Sequence, residues 1–406
     1  MQRRIVESER MTTSTLARRR ARLGTSLGAF YAASFLVVGI QLPFWPVWLA
    51  GRGLDAQDIA LLFAAAIWAK VVATPVIGAL ADRLGRPRAV MVALAGAACL
   101  GYAALWRAEG FWPLLWLNLA AGVAQSALMP LGDSITLAAV RGARLDYGRI
   151  RVWGSLSFII AAVGSGWLLG GMATVALDNT VLVLVLAASV TLLLACLAVP
   201  SAPAGPVAGS RWRALGEFAA DRRFWLFVAS GAALQSSHQL YYGFGTLYWR
   251  ELGFPDPVIG VLWAEGVAAE ILLFWLSAPL VARIGPLGLM ALGGVAGILR
   301  WSLLGLMPGL AAAAVLQLLH GLTFGASHLG AMYFLARSVP PGAAASAQSL
   351  YAAISAGLGS GLVMLAAGAI YTAYGGQGYL FMALLSTAGL LGVAVLGRVR
   401  RRPSAA

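Results

Sequence analysis

The chain has 406 residues, 60 % of them hydrophobic and only 11 % charged, with a mean hydropathy of +0.82 and a formal net charge of +14. Soluble domains carry about a quarter charged residues, so this composition excludes an ordinary water-soluble enzyme and makes lipid the solvent. The positive charge raises nucleic acid as a partner, and where the arginines fall decides that question.

About 20 apolar residues cross a bilayer. Runs of that length lie near 24–47, 58–80, 88–107, 111–136, 153–171, 179–199, 223–247, 258–282, 287–307, 309–336, 346–371 and 376–397, which predicts twelve spans. Of the 29 Lys and Arg residues, seven lie in the N-terminal tail and seventeen in the loops and C-terminal tail on that same side. Only Arg52, Arg107 and Arg250 lie on the opposite side. This is the positive-inside pattern: both ends are expected in the cytoplasm, and basic runs such as "LARRRARLG" read as membrane anchors, with no nucleic-acid partner. The first run is the length of a full span and lacks a clean small-x-small cleavage site, so it is expected to stay as the first helix. The expected organisation is a tail at 1–23, a six-helix bundle at 24–199, a Pro/Gly/Ala linker at 200–222, a second six-helix bundle at 223–397 and a basic tail at 398–406.

Along the chain, polar residues recur at helical spacing on four spans, giving each one wet face. The first carries Tyr31, Ser34, Gln41 and Trp45; the fourth Asn118, Gln125 and Asp133; the seventh Gln235, His238, Gln239, Tyr242 and Thr246; the tenth Gln317, His320, Thr323, Phe324, Ser327 and His328. These faces are expected to line a central aqueous cavity. The alternative is that they are interhelical hydrogen-bond glue, worth about 0.6–2 kcal/mol each.

Two cations lie inside spans, Lys70 and Arg300, and Lys70 is the only lysine in the chain. A charge at mid-membrane costs about 2.5–3.5 kcal/mol on insertion scales, so each needs a partner or a wet cavity. Shifting the sequence by 200 residues pairs "GLDAQDIALLFA" with "GFPDPVIGVLWA", and matches Leu80, Arg83 and Gly85 with Leu280, Arg283 and Gly285. An internal duplication of this kind marks a repeat-built secondary transporter with its substrate site near the midplane. At the same offset Lys70 meets Glu270 in "WAEGVAAEILLFW". Glu265 and Glu270 point about 140° apart on a helix, and Glu270 is the one expected to face the cavity. Asp133 and Arg151 are each nine residues from Gly142, in the turn between the fourth and fifth spans, so an ion pair at equal depth is expected there. The alternative for that pair is a lock between two helices. Cys99 and Cys196 lie in apolar spans and read as packing residues. No HExxH, GxSxG, phosphate loop or Cys/His metal pattern is present, so no enzyme activity, cofactor or metal is expected.

The segment "GALADRLGRPR" resembles the loop motif of the major facilitator superfamily, with Gly78, Asp82, Arg83, Gly85 and Arg86 in place. "YGRIRVWGS", "AEGVAAEILLFW", "ILRW" and "LQLLHGLTFGASH" resemble the 3-phenylpropionate permease branch, related to the oligosaccharide and nucleoside proton symporters. The resemblance covers about 28 to 397. It implies an all-α membrane protein of twelve transmembrane helices in two repeats, with Asp82 and Arg83 in gating contacts. Sugar permeases of that neighbourhood pair the second arginine of Gly-Arg-x-Arg with a carboxylate eighteen residues upstream to hold sugar, a pattern that Arg151 and Asp133 match. Their arginine and histidine twenty residues apart match Arg300 and His320. The acid expected three residues after that histidine is Thr323, and the eleventh span carries no charge.

From these residues the expected function is symport of an aromatic carboxylate with a proton across a bacterial inner membrane. Lys70, Arg151 or Arg300 would meet the anion, with His238, Gln239 and His328 as further polar contacts. Tyr31, Trp45, Trp68, Tyr241 and Tyr242 would supply aromatic surface. Glu270 would carry the proton, with Glu265 and His320 as further candidates. The substrate, protons and the bilayer are the expected partners, with no obligatory protein. A sugar or nucleoside symporter, an efflux pump and a non-transporting sensor or assembly factor remain as alternatives.

Overall fold

The computed structural model describes residues 2–143, 145–171, 177–200, 221–339 and 344–399. Among these every regular element is helical. Ten helical stretches, from Arg20–Gly51 to Ser346–Arg398, are long and apolar enough to cross a bilayer. Large apolar side chains such as Trp112, Trp116, Trp167 and Trp275 face outward, as they must where lipid is the solvent. The chain is an all-helical multi-pass membrane protein. Residues 201–220 of the expected linker, the tail beyond 399 and Arg144 lie outside the described residues.

Helix α1 runs unbroken over Gln2–Gly51, so the tail expected at 1–23 is continuous with the first span. Its run of Arg, Ala and Leu consists of strong helix formers, which explains the continuity. Helix α2 (Ala56–Leu84) starts where the Asp55 carboxylate accepts from the Asp58 N–H at 2.8 Å, and stops at Gly85 in the left-handed region. Helix α3 (Pro87–Ala104) opens with Pro87, whose missing N–H costs nothing at that position. Then follow α4 (Phe111–Ser126), α5 (Leu128–Ala143), α6 (Tyr147–Gly170) and α7 (Leu177–Ala198).

Beyond the linker lie α8 (Arg222–Ser236), α9 (Gln239–Glu251), α10 (Asp256–Trp275) and α11 (Ser277–Leu304), the last kinked at Gly285. A broken rod follows: α12 (Leu310–Leu318), a π-helical turn at Gly321–Ala326 and α13 (Ser327–Ser338). Then come α14 (Ala344–Ala352), a second π turn at Ala353–Gly359, α15 (Ser360–Tyr374) and α16 (Tyr379–Arg398). The turns repeat at the offset that the sequence showed. Gly53 and Gly253 have φ of 84° and 81°, and Gly85 and Gly285 have φ of 61° and 69°. Only glycine enters that region without strain, so these four positions carry the backbone of the duplication.

The two parts of the chain are knitted together on the side of the 52–55 and 252–255 loops. There α6 packs along α10, and α2 along α15. The approach is backbone to backbone. A Cβ at Gly260 would strike the carbonyl oxygen of Ala162, one at Gly166 that of Asp256, and one at Gly368 would lie 2.7 Å from that of Ala56. Gly164, two residues from Gly166 on α6, has open space around it.

Gly260→Ala is expected to lower the thermal unfolding midpoint of the purified protein in detergent, since overpacking against rigid backbone costs about 1–3 kcal/mol. Gly164→Ala should leave the midpoint unchanged or raise it, because alanine is the better helix former. Equal midpoints for the two variants would show that the α6–α10 contact yields.

Candidate functional site

Where the two parts meet, a cavity of about 440 Å³ lies among α1, α2, α3 and α4 on one side and α8, α9 and the second π turn with α15 on the other. That is the size range of small-molecule sites. Lys70 from α2 lines it, with the amides of Gln41, Asn118, Gln125, Gln235 and Gln239 and the rings of Trp45, Phe63, Tyr102 and Tyr242. None of the described lining residues is Asp or Glu. Lys70 also lines an adjoining recess of about 210 Å³, walled by Ser34, Ser126, Met129 and Leu192 among others. Its ammonium group has no hydrogen-bond or ion-pair partner among the described residues.

The wall around Lys70 is a directed set of donors. The indole of Trp45 can only donate, and gives its N–H to Asn118 Oδ1 at 2.9 Å. Asn118 therefore keeps its NH₂ for the cavity. Tyr102 donates to Gln125 Oε1 at 2.6 Å, and Gln125 Nε2 donates to Gln41 Oε1 at 3.2 Å; the Gln41 amide also bonds back to the Tyr102 side chain, which leaves its NH₂ one further N–H. Lys70, Asn118 and Gln41 thus all present N–H groups, an arrangement complementary to an anion.

Behind the cavity, α9, α11 and the broken α12–α13 rod enclose Arg300, which is fully buried. Its Nη1 donates to His320 Nδ1 at 3.0 Å and to Thr323 Oγ1 at 3.1 Å, and its Nη2 to Gln317 Oε1 at 2.6 Å. Gln317 passes the contact on, donating to the Tyr241 hydroxyl at 2.9 Å and the Leu262 carbonyl at 3.0 Å. The guanidinium carbon lies 4.9 Å from the ring centre of Tyr241 and 4.6 Å from that of Trp301. No carboxylate takes part. Because arginine has no acceptor, His320 Nδ1 must accept, and this imidazole is neutral while the bond stands. His238 Nδ1 faces the Gln235 carbonyl at 3.2 Å and therefore donates; its Nε2 lies 3.1 Å from the Thr323 hydroxyl, which also reaches the His320 carbonyl at 3.4 Å.

The ion pair expected between Asp133 and Arg151 is not formed. Among the described residues the ion pairs within 4 Å are Arg149–Asp146 and Arg250–Asp256. Asp133 Oδ1 instead accepts from the hydroxyls of Tyr31 and Tyr147, the latter at 3.2 Å. Arg151 lies over the rings of Phe35 and Tyr31, 4.2 Å and 5.4 Å from their centres. Equal distance from a turn sets depth, and the rings of Tyr31 and Tyr147 fill the space between.

Glu265 and Glu270 are both partly buried and neither lines the cavity. Glu270 packs against the first π turn, where its Cγ would lie 3.6 Å from a Cβ at Gly325, and Arg151 is the cation that acts on it electrostatically. His238 and His320 are drawn together, ring centres 5.8 Å apart, with Tyr242 stacked on His238. His328 is exposed and stacks on Phe324 outside the network. The π turn at Gly321–Ala326 keeps His320, Phe324 and His328 in one stacked column, with ring planes 7° and 2° apart, although regular α spacing would set the two histidines about 80° apart. Gly78, Asp82, Arg83 and Arg86 lie apart from the cavity, the last three exposed, and Gly85 serves as the cap of α2. Tyr102 was missed by sequence reasoning. Its signal was a phenol within an apolar span, where a hydroxyl needs a partner.

Residues 25–383 match the MFS_1 like family model. The chain is 32 % identical over 369 residues to a probable 3-phenylpropionic acid transporter of Escherichia coli (strain K12), covering 88 % of this chain and 93 % of that protein. It is 26 % identical to a maltose permease of Geobacillus stearothermophilus, covering 92 % and 94 %. Among solved structures it is similar in fold to the nucleoside transporter NupG, with a TM-score of 0.82 at 19 % identity over 93 % of this chain and 100 % of that one.

Thr323→Val removes at one stroke an acceptor of Arg300 and the hydroxyl that faces His238 Nε2. A buried polar group left without a partner costs about 1–3 kcal/mol. The variant is therefore expected to melt several degrees below the native protein in detergent, and Thr323→Ser to melt close to it. If the valine variant is as stable as the serine variant, the hydroxyl is not holding the network.

Proposed function

We propose that this chain, which belongs to the MFS_1 like family of major facilitator transporters and is not an enzyme, imports a small aromatic carboxylate together with a proton. The observation that carries the reading is the Lys70 ammonium, unpartnered in a cavity whose described lining includes no carboxylate and several aromatic rings. A charge kept in the membrane without a partner is costly, and an arriving carboxylate relieves that cost. The N–H groups of Asn118 and Gln41 take the remaining carboxylate lone pairs, and Trp45, Phe63 and Tyr242 take the ring. The 32 % identical relative named as a probable 3-phenylpropionic acid transporter supports the same substrate class.

In this reading the chain crosses a bacterial inner membrane twelve times in two six-helix bundles, 24–199 and 223–397, with both ends in the cytoplasm. Glu270 carries the proton. It has no hydrogen-bond partner among the described residues, and Arg151, on α6 of the other bundle, is the cation that acts on it, so its protonation bears on the seam between the bundles. Glu265 is the second acid available. His320 is held neutral by Arg300 and serves to orient that guanidinium. Asp133, bound by two tyrosine hydroxyls, and Arg151, over two rings, join the cytoplasmic ends of α1, α5 and α6. A sugar or an uncharged nucleoside brings no anion to Lys70 and would leave that charge unrelieved.

Uptake of labelled 3-phenylpropionate into proteoliposomes, acid outside, is the test. The native protein is expected to accumulate it until a protonophore is added. Lys70→Gln should weaken half-saturation by tenfold or more, and Glu270→Gln should abolish accumulation while leaving exchange between equal pools. Accumulation by Glu270→Gln at the native level would remove that residue as the carrier, and native uptake indifferent to Lys70→Gln would remove the anion site.

A further inference from the structure

Two glutamines of the cavity wall, Gln235 and Gln239, come from the part of the chain that does not carry Lys70. Gln235 closes α8 and Gln239 opens α9, on either side of the break at Ser237–His238. Both line the large cavity, and neither lines the recess around Lys70, which is built from residues before 200. Neither side-chain amide has a hydrogen-bond partner among the described residues. Gln239 is only 6 % exposed, and what it exposes faces the cavity. The break fixes them: the Gln235 carbonyl accepts from His238 Nδ1, and that ring is in turn tied through Thr323 to Arg300. The amides are thus held in place by a rigid network and left free at their tips.

An amide without a partner costs about 1–3 kcal/mol once a ligand has displaced the water around it. Each other amide of the cavity wall has at least one partner, in the Trp45–Asn118 and Tyr102–Gln125–Gln41 contacts, whereas Gln235 and Gln239 have none among the described residues. The bare edge of an unsubstituted phenyl ring would press against Gln235 and Gln239 and leave them unsatisfied. A ring hydroxyl would satisfy both, donating to one amide oxygen and accepting from the other amide nitrogen.

We propose that Gln235 and Gln239 make this a transporter for phenolic aryl acids, the carboxylate at Lys70 and the ring hydroxyl between the two glutamines. The proposal rests on the reading that an aromatic carboxylate binds at Lys70, and it names the group on the far end of that molecule.

Binding to the purified protein of 3-phenylpropionate, 3-(3-hydroxyphenyl)propionate and 3-(4-hydroxyphenyl)propionate tests it, with Gln235→Leu, Gln239→Leu and Lys70→Gln alongside. The native protein is expected to bind one of the phenolic acids about tenfold or more tighter than the unsubstituted acid. Gln239→Leu should reduce that ratio to below about threefold while binding the unsubstituted acid at least as well as the native protein does, which also shows that the variant is folded. Equal native affinity for all three acids overturns the proposal, as does a preference that survives both leucine variants. If none of the acids binds, or if Lys70→Gln binds them all as the native protein does, the aromatic-anion reading falls and this proposal with it.

Discussion

A guanidinium with no carboxylate partner organises the second part of the chain. Arg300 is fully buried, and an ion in that position carries a desolvation cost of several kcal/mol. The cost is met by neutral acceptors from the α12 rod and by the faces of Tyr241 and Trp301. Each partner is in turn held by another helix: Gln317 by α9 and α10, Thr323 by His238 at the α8–α9 break. Remove the charge and five helical segments lose the group they are arranged around. The wall of the cavity formed by Gln235, Gln239 and Tyr242 stands on this network, so cavity shape and the buried cation are one problem solved once.

The duplication shows how much of this is backbone and how much is chemistry. The glycine turns at 53 and 253, and at 85 and 285, keep the same φ after the sequences around them have diverged. At the same offset Lys70 stands opposite Glu270, and Leu100 opposite Arg300. The part before residue 200 holds Lys70 facing the cavity, and the part after 220 holds the caged Arg300 behind it together with Glu265 and Glu270. A shared scaffold therefore carries opposite charge on matching helices, which is what gives the interface between the repeats a polarity.

Much of the scaffold was legible in the sequence because its causes are local: span length follows from bilayer thickness, and the turn glycines from the need for positive φ. Gln239 and Tyr242 fall at the cavity as the stripe of the seventh span implied, Lys70 lies there too although it belongs to no stripe, and His238 and His320 meet behind it. What the sequence did not show begins where the helix is not regular. The π turn at Gly321–Ala326 stacks His320, Phe324 and His328 in one column, with His328 exposed beyond the network, and no hydrophobic pattern announces a π turn. The Asp133–Arg151 pair failed for another reason: spacing fixes depth but not which side chain lies between, and Tyr31 with Tyr147 took the carboxylate. The glutamine tips of Gln235 and Gln239 were legible as polar positions, but their lack of partners is a property of the packed protein alone.

The direction of the hydrogen bonds constrains where a coupled proton can reside. Arg300 only donates, so His320 Nδ1 must be bare; the Gln235 carbonyl only accepts, so His238 Nδ1 must carry hydrogen, while its Nε2 meets a Thr323 hydroxyl that also reaches the His320 carbonyl at 3.4 Å. A proton on His320 Nδ1 would set an N–H against a donor and break the bond to Arg300, a buried guanidinium that no carboxylate contacts among the described residues. His238 is less constrained, because Thr323 can turn its proton to the His320 carbonyl and accept. Glu270 and Glu265 make no hydrogen bond among the described residues, and Glu270 lies against the π turn that follows His320. On the reading proposed above the work divides physically: that carboxyl would change charge, and the Arg300 network would hold the cavity wall.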